Sequence, residues 1–480
     1  MTAVLKKKTE LFEHVPLPRA VLRLALPSVL GQAVLVLYNM ADTFFVGMTG
    51  SDDMLAAVTV CTPAFMLLSA IANLFGVGGA SLISRMLGAR RMREAGAVSA
   101  FAIFGCLAVS LFYSIAVFAG MPYLLPLLGA VTPPVADYAR TYLTVTVVGC
   151  GTFAAGGTLL SHLLRAEGNA TGASLGVIAG GLLNIALDPL FMFVILPAGK
   201  EVLGAAIATG LSNACTLLFS LLLILREGQA RILSFRPTLA MFRDGIPRGV
   251  LSAGLPAALM TLCENLSYAV LGQRMAAYGT EAQAGVGVAK KVNMLAHSAV
   301  RGMAQGVLPL IGYNFSSGNR RRMYRTVRLS ARMSVGLSLL CTLVSLLFAR
   351  QITGLFVTGT TSHAYSVTFL RILCVGAPFS AWAYTVISFF QATGHMGQSL
   401  LLALLRKGIA DIPLMFWLGA YYGAVGTVAA TPLSDLLCCL CAVVLFAVFV
   451  RRHPRTPPPI GSVRIPALAS SRISADPPEK

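Results

Sequence analysis

LALPSVLGQ at residues 24–32 returns as AGLPAALMT at 253–261, and the echo continues down the chain at a nearly constant offset. ISRMLGARRM (83–92) and IGYNFSSGNRRRM (311–323) place Gly88 and Gly318 at nearly the same distance from Pro27 and Pro256. LLRAEGNATGAS (163–174) pairs with FFQATGHMGQS (389–399) and LDPLFMF (187–193) with DIPLMFW (411–417). GAAIATGLSNA (204–214) is matched more loosely by AATPLSDL (429–436). A parallel duplication implies two like bundles with a cavity between them, the geometry of an alternating-access transporter. A helical scaffold with duplicated packing motifs is the plainer reading, and acids inside the spans weigh against it.

Lipid is the solvent this composition suits: 56% of residues are hydrophobic and only 11% charged. Charge-poor blocks long enough to cross a hydrocarbon core recur about twelve times. They lack the short alternation of barrel strands. The fold class is therefore all-α and membrane-spanning, with about twelve transmembrane helices in two pseudo-symmetric six-helix bundles. Residues 15–228 form the expected N-lobe and 248–452 the C-lobe, joined by a basic connection at 229–247. Residues 1–14 read as a cytoplasmic tail, and the proline-rich 453–480 as a disordered one.

The net charge of +19 does not point to nucleic acid, because the basic residues fall in every second connection. Clusters at Lys6 to Lys8, Arg90 to Arg93, 226–248, Arg320 to Arg325 and Arg451–Arg452 alternate with basic-poor loops such as 121–138 and GAYYG at 419–423. The positive-inside rule then puts both termini in the cytoplasm of a multi-pass protein. The first apolar block is too long for a cleaved signal. Ten scattered cysteines show no ligand or framework spacing and read as small packing residues. No GxxxxGK[ST] loop occurs, so ATP is not the expected energy source, and nothing resembles an enzyme site.

Ionisable groups within spans cost about 2.5–3.5 kcal/mol each, so those present tend to serve a cavity. Asp42 lies in YNMADTFFVG (38–47), one turn after Tyr38 on the same helix side. It reads as an interfacial carboxylate or as a site residue. In GGLLNIALDPLFMF (180–193), Asn184 and Asp188 share a helix face, and Pro189 removes the amide donor that would serve the Ile185 carbonyl. With Thr209 of IATGLSN they make an all-oxygen set suited to a hard monovalent cation or a proton; the bland alternative is a kinked helix whose Asn and Asp satisfy each other. Glu264, Asp411 and Asp435 are the other acids within spans. Asp411 is one turn from Lys407 and either pairs with it or serves the cavity as a C-lobe acid, the pair being favoured. Lys290, Lys291, Arg301 and Arg406 are also within spans; most are expected to snorkel, with Arg301 deep enough to neutralise a C-lobe acid.

These motifs, with NLFGVGGASLISRMLGARR (73–91), LNIALDPL (183–190) and LPLIGYNF (308–315) in order, resemble the MATE family, multidrug and toxic compound extrusion, most closely its MepA-like bacterial branch. The resemblance covers roughly residues 15–450 and implies a cation-coupled antiporter in a bacterial plasma membrane, exporting bulky amphiphilic cations in exchange for sodium ions or protons. It implies a monomer without cofactors. By residue, it places ion coupling, sodium included, on Asp42, Asn184, Asp188 and Thr209. Tyr38, Tyr142, Glu264 and Asp411 then line the substrate cavity. Glu264 matches a C-lobe carboxylate of another branch, whose second C-lobe acid is absent because its place falls near Trp382. The MepA-type pattern is usually neutral at both the Asp42 and Glu264 positions, whereas this chain has acids in both lobes. A flippase for lipid-linked saccharides of the same superfamily is the alternative, for which basic groups facing a pyrophosphate would be expected.

Overall fold

The computed structural model describes residues 9–226, 232–356 and 359–453. The tail expected from 453 thus lies almost wholly outside the described residues, as does part of the 229–247 connection.

The N-lobe comprises α1 (Leu17–Met48), α2 (Asp52–Gly88), α3 (Met92–Leu128), α4 (Pro133–Leu143), α5 (Gly151–Ala166), α6 (Ala170–Pro189) and α7 (Glu201–Arg226). The C-lobe comprises α8 (Ile246–Ala276), α9 (Thr280–Ser316), α10 (Arg320–Leu347), the short α11 (Ala349–Gly354), α12 (Thr360–Cys374), α13 (Ala377–Thr393), α14 (Met396–Leu404) and α15 (Asp411–Arg452). Eight of these runs are long and apolar enough to cross a membrane, and two bent pairs, α4 with α5 (48°) and α12 with α13 (44°), bring the number to ten. The α15 run is broken at Gly423 (φ 61°, ψ −143°), a backbone state open to glycine, so it holds parts of two spans. α9 has 37 residues but is too polar to pass on composition, because Lys290, Lys291, His297 and Arg301 sit on it. Twelve spans result, six per lobe, as the duplication implies.

Bends fall where helical hydrogen bonding fails. Pro189 cannot donate to the preceding turn, and the helix widens into a π-turn at Leu190–Ile195. Similar π-turns stand at Thr144–Gly149 and, before Pro413, at Leu405–Ile409. All ten cysteines are free thiols.

Three apolar cores describe how the lobes meet. At the end of the bundle that carries the basic clusters, one core joins both lobes, running from Leu24 and Ile83 to Val307, Tyr313, Phe389 and Phe449. At the far end the lobes have separate cores, one around Val46, Leu68, Val117 and Met192, the other around Leu271, Val286, Phe369 and Met415. The molecule is therefore closed at the basic end and parted at the other. Backbone contact makes the closure tight: a Cβ on Gly254 of α8 would stand 1.6 Å from the Leu74 carbonyl oxygen of α2. Gly302 and Gly306 of α9 similarly admit the backbone of Val29 and Ala25 on α1.

Residues ahead of α1 reinforce this closure. Phe12 stacks on Tyr313 with centroids 5.0 Å apart, and the Tyr313 hydroxyl donates to Glu13 Oε1 (2.5 Å). Arg322 donates to the Phe12 and Val15 carbonyls (2.7 and 2.6 Å), strapping the segment to the C-lobe. The described part of the connection is likewise pinned to the N-lobe: Glu167 Oε1 accepts from the Ile232 and Leu233 amides (3.1 and 2.9 Å).

Candidate functional site

In the N-lobe, α6 presents Asn184 and Asp188 from one face, both fully buried. Asn184 Nδ2 donates to Asp188 Oδ1 (3.3 Å) and, more weakly, to Thr209 Oγ1 of α7 (3.5 Å). On α1, Tyr38 packs over Gly181 of α6, where any Cβ would lie 3.4 Å from its ring. That packing brings Asp42, one turn on, into the same field: Asp42, Asp188, Tyr38 and Tyr142 all interact electrostatically. The structure thus gathers Tyr38, Asp42, Tyr142, Asn184, Asp188 and Thr209 in a single N-lobe cluster. Three of its buried oxygens, Asp42 Oδ1, Asn184 Oδ1 and Asp188 Oδ2, accept no hydrogen bond among the described residues. A buried acceptor left unpaired costs about 1–3 kcal/mol, so three together make this cluster an unsatisfied polar site within the lobe.

The C-lobe is organised differently. Glu264 of α8 accepts from Arg301 of α9 (2.8 Å), from Arg406 (2.8 Å) and from the Tyr384 hydroxyl of α13 (2.6 Å). Arg406 forks on to Asp435 through Nε (2.9 Å), its guanidinium 4.3 Å from the centre of the Tyr384 ring. Lys407 bridges Asp411 (3.5 Å) and Asp435 (3.7 Å), while Ser267 donates to Asp411 Oδ2 (2.5 Å). His297 lies against Asp435 Oδ2 (3.8 Å) and bonds to Ser380 Oγ (3.1 Å). The pairing expected for Asp411 is present, but its complete burial takes it off the cavity wall assigned to it. Snorkelling fails for Arg406: its side chain is 1% exposed and held by two carboxylates. It lies ten residues into its span, beyond the reach of either interface, and pairing replaces hydration. Arg301 does neutralise a C-lobe acid.

Sequence reasoning missed Tyr384 and His297, which join this network from α13 and α9. The one available signal was the dense set of charges in LLALLRKGIADIPLMF (401–416) and MLAHSAVRGM (294–303), two otherwise apolar stretches.

Near the paired prolines Pro189 and Pro413 each half carries an acid with a polar partner one turn ahead of it, though not at equivalent positions of the repeat. Asp188 stands immediately before Pro189 and Asp411 two residues before Pro413, so the two acids are one residue out of step, with Asn184 four residues ahead of the first and Lys407 four ahead of the second. Thr209 corresponds to Thr431. One turn ahead of its acid the C-lobe carries an ammonium and the N-lobe an amide.

Two duplicated six-helix lobes, closed at one end around buried charged sites, define a membrane transporter. The MatE family model matches residues 27–190 and 256–417, its two copies beginning at the paired prolines, and the chain belongs to that family. The multidrug export protein MepA of Staphylococcus aureus is 28% identical over 438 residues, covering 90% of this chain and 94% of the relative. MepA of Staphylococcus haemolyticus is 27% identical over 450 residues, covering 93% and 96%. A solved outward-facing conformation of a multidrug resistance MATE family transporter of the MOP superfamily superimposes with a TM-score of 0.84 at 25% identity, covering 94% of this chain and 99% of that one.

Proposed function

We propose that this chain is a secondary active multidrug exporter, exchanging bulky, mostly cationic amphiphiles for protons or sodium ions by alternating access. The observation that carries the reading is that the N-lobe set of Asp42, Asn184 and Asp188, with three unpaired oxygens, has no ion pair among the described residues, whereas in the C-lobe Lys407 pairs with both Asp411 and Asp435. One lobe can take up and release a cation, while the other has its cation built in. With the basic end in the cytoplasm of a bacterial inner membrane, the cleft opens outward, where the coupling ion is plentiful. Loading neutralises Asp42 and Asp188 and removes the negative field that holds a cationic substrate. α6, soft at Pro189 and the following π-turn, is the element whose bending follows the charge. An ion gradient equivalent to 100 mV supplies about 2.3 kcal/mol, enough for roughly a fortyfold substrate gradient.

MepA is a multidrug export protein, which supports the export of varied substrates by this chain. The flippase alternative loses ground because Arg406 and Lys407 are committed to Asp435 and Asp411, and the unpaired acids Asp42 and Asp188 in the N-lobe would repel a pyrophosphate.

Proteoliposomes with an imposed sodium or proton gradient test the proposal. Ethidium is expected to accumulate against its gradient, and a lipid-linked saccharide to stay in its leaflet. Movement of the saccharide without ethidium transport would overturn it. Orientation is checked separately by reporters fused after Arg93 and Arg322, expected cytoplasmic, and after Val131 and Gly279, expected external. A reporter after Arg322 found outside would reverse the assignment.

A further inference from the structure

The cleft floor can be located from the contacts that end it. Gln32 Nε2 donates to Gln305 Oε1 (3.2 Å) and Asn73 Nδ2 to Thr261 Oγ1 (2.9 Å), the outermost hydrogen bonds between the lobes among the described residues. Glu264 lies three residues beyond Thr261 on α8, and Arg301 four residues beyond Gln305 on α9. Both therefore stand about one helical turn above the floor, on the two C-lobe helices that face the N-lobe.

Exposure separates Arg301 from the rest of its network. Its side chain is 34% exposed and that of Glu264 19%, against 1% for Arg406. Only Nη2 of Arg301 is engaged, by Glu264 and, at 3.4 Å, by Tyr384; its Nε is buried without a partner, and Nη1 makes no hydrogen bond among the described residues. The charges do not balance either. Three carboxylates, Glu264, Asp411 and Asp435, face Arg301, Arg406, Lys407 and also Lys290, whose ammonium forms no ion pair among the described residues. Lys290, His297 and Arg301 recur on one face of α9, at seven- and four-residue steps, and Lys290 sits in the field of the same acids. A purely structural ion cluster would close on itself, with neither a surplus cation nor a guanidinium nitrogen left over at a partly exposed side chain.

We propose that Arg301, backed by Lys290, is a binding site on the C-lobe wall for a carboxylate of the substrate, so that the cleft accepts amphiphiles carrying an acidic group as well as a cationic one. Glu264 and Tyr384 hold the guanidinium through Nη2 and leave Nη1 to form a charge-assisted hydrogen bond with the ligand. The acidic N-lobe cluster across the cleft receives the cationic end. The inference deepens the export reading in taking the cleft as the substrate's path, but its test reads binding alone.

Tetramethylrhodamine, a zwitterion at neutral pH, and its methyl ester, a cation of nearly equal shape, are titrated by fluorescence anisotropy into the full chain in nanodiscs. The wild type is expected to bind the zwitterion about tenfold more tightly than the ester, the scale of one charge-assisted hydrogen-bonded pair. Arg301→Met should bring that ratio to about one, Arg301→Lys should keep part of it, and Lys290→Met should lower it. A wild-type ratio of one or below overturns the site, as does a ratio unmoved by Arg301→Met. Should that variant not fold, the wild-type ratio and Lys290→Met decide. Failure of ethidium export with the zwitterion preference intact would instead count against the transport reading.

Discussion

The substrate gradient built by a 100 mV ion gradient is expected to collapse from roughly fortyfold to about one in Asp42→Asn, and equally in Asp188→Asn. Each substitution replaces a carboxylate by an amide of the same shape and holds the N-lobe cluster near its neutral state. The ion then has nothing to neutralise. Folding should be spared, because Asp42 Oδ1 and Asp188 Oδ2 accept no hydrogen bond that the amide would break. Binding of an ester dye should persist in weakened form, since neighbouring Tyr38 and Tyr142 are untouched. Accumulation of ethidium in proteoliposomes, with sodium and pH varied independently, is the measurement. A wild-type gradient in Asp42→Asn with wild-type ion dependence would return Asp42 to an interfacial role. Coupling would then be sought at Glu264, the cleft-facing acid of the other lobe.

Local periodicity carried the first half of the N-lobe site: Asn184 and Asp188 share a face because α-helical geometry leaves them no alternative, and Pro189 announces its own bend. The second half depended on which helices touch. Asp42 reaches Asp188 only because Tyr38 lies on Gly181, and no spacing within YNMADTFFVG encodes that contact. The duplicated prolines made the two lobes legible, yet not the side on which they close, which follows from backbone contacts such as Gly254 against Leu74. The C-lobe was the hardest to read. Arg406, Glu264, Asp435 and Tyr384 come from four different helices, and a charge in an apolar run gives no hint whether it escapes to an interface or meets partners inside. Helix α9 shows the same problem from the other direction, since the polar residues that serve the cleft dilute the signal of the span that carries them.

Arg406→Met is expected to destabilise the folded chain by about 3–5 kcal/mol, the cost typical of removing one member of a buried ion cluster. The guanidinium is the hub of the C-lobe. It donates to Glu264 (2.8 Å) and Asp435 (2.9 Å), stacks over Tyr384, and its own backbone carbonyl accepts from Ser434. Methionine fills much of the volume, so the penalty is electrostatic. Glu264 falls back on Arg301, and Lys407 must serve both Asp411 and Asp435 from 3.5 and 3.7 Å. Arg406→Lys should recover little, because an ammonium lacks the planar fork whose Nε and Nη1 meet Asp435 and Glu264 at once in fixed directions. Adding Asp435→Asn to Arg406→Met should recover a large share by removing the acid left behind, and a double-mutant cycle in thermal denaturation would show coupling well beyond additivity. A midpoint for Arg406→Met equal to that of the wild type would mean that Arg301 and Lys407 neutralise the lobe unaided. The hub role of Arg406 would then fall, and the tie it makes between the cleft wall and the interior of the lobe would be one of position alone.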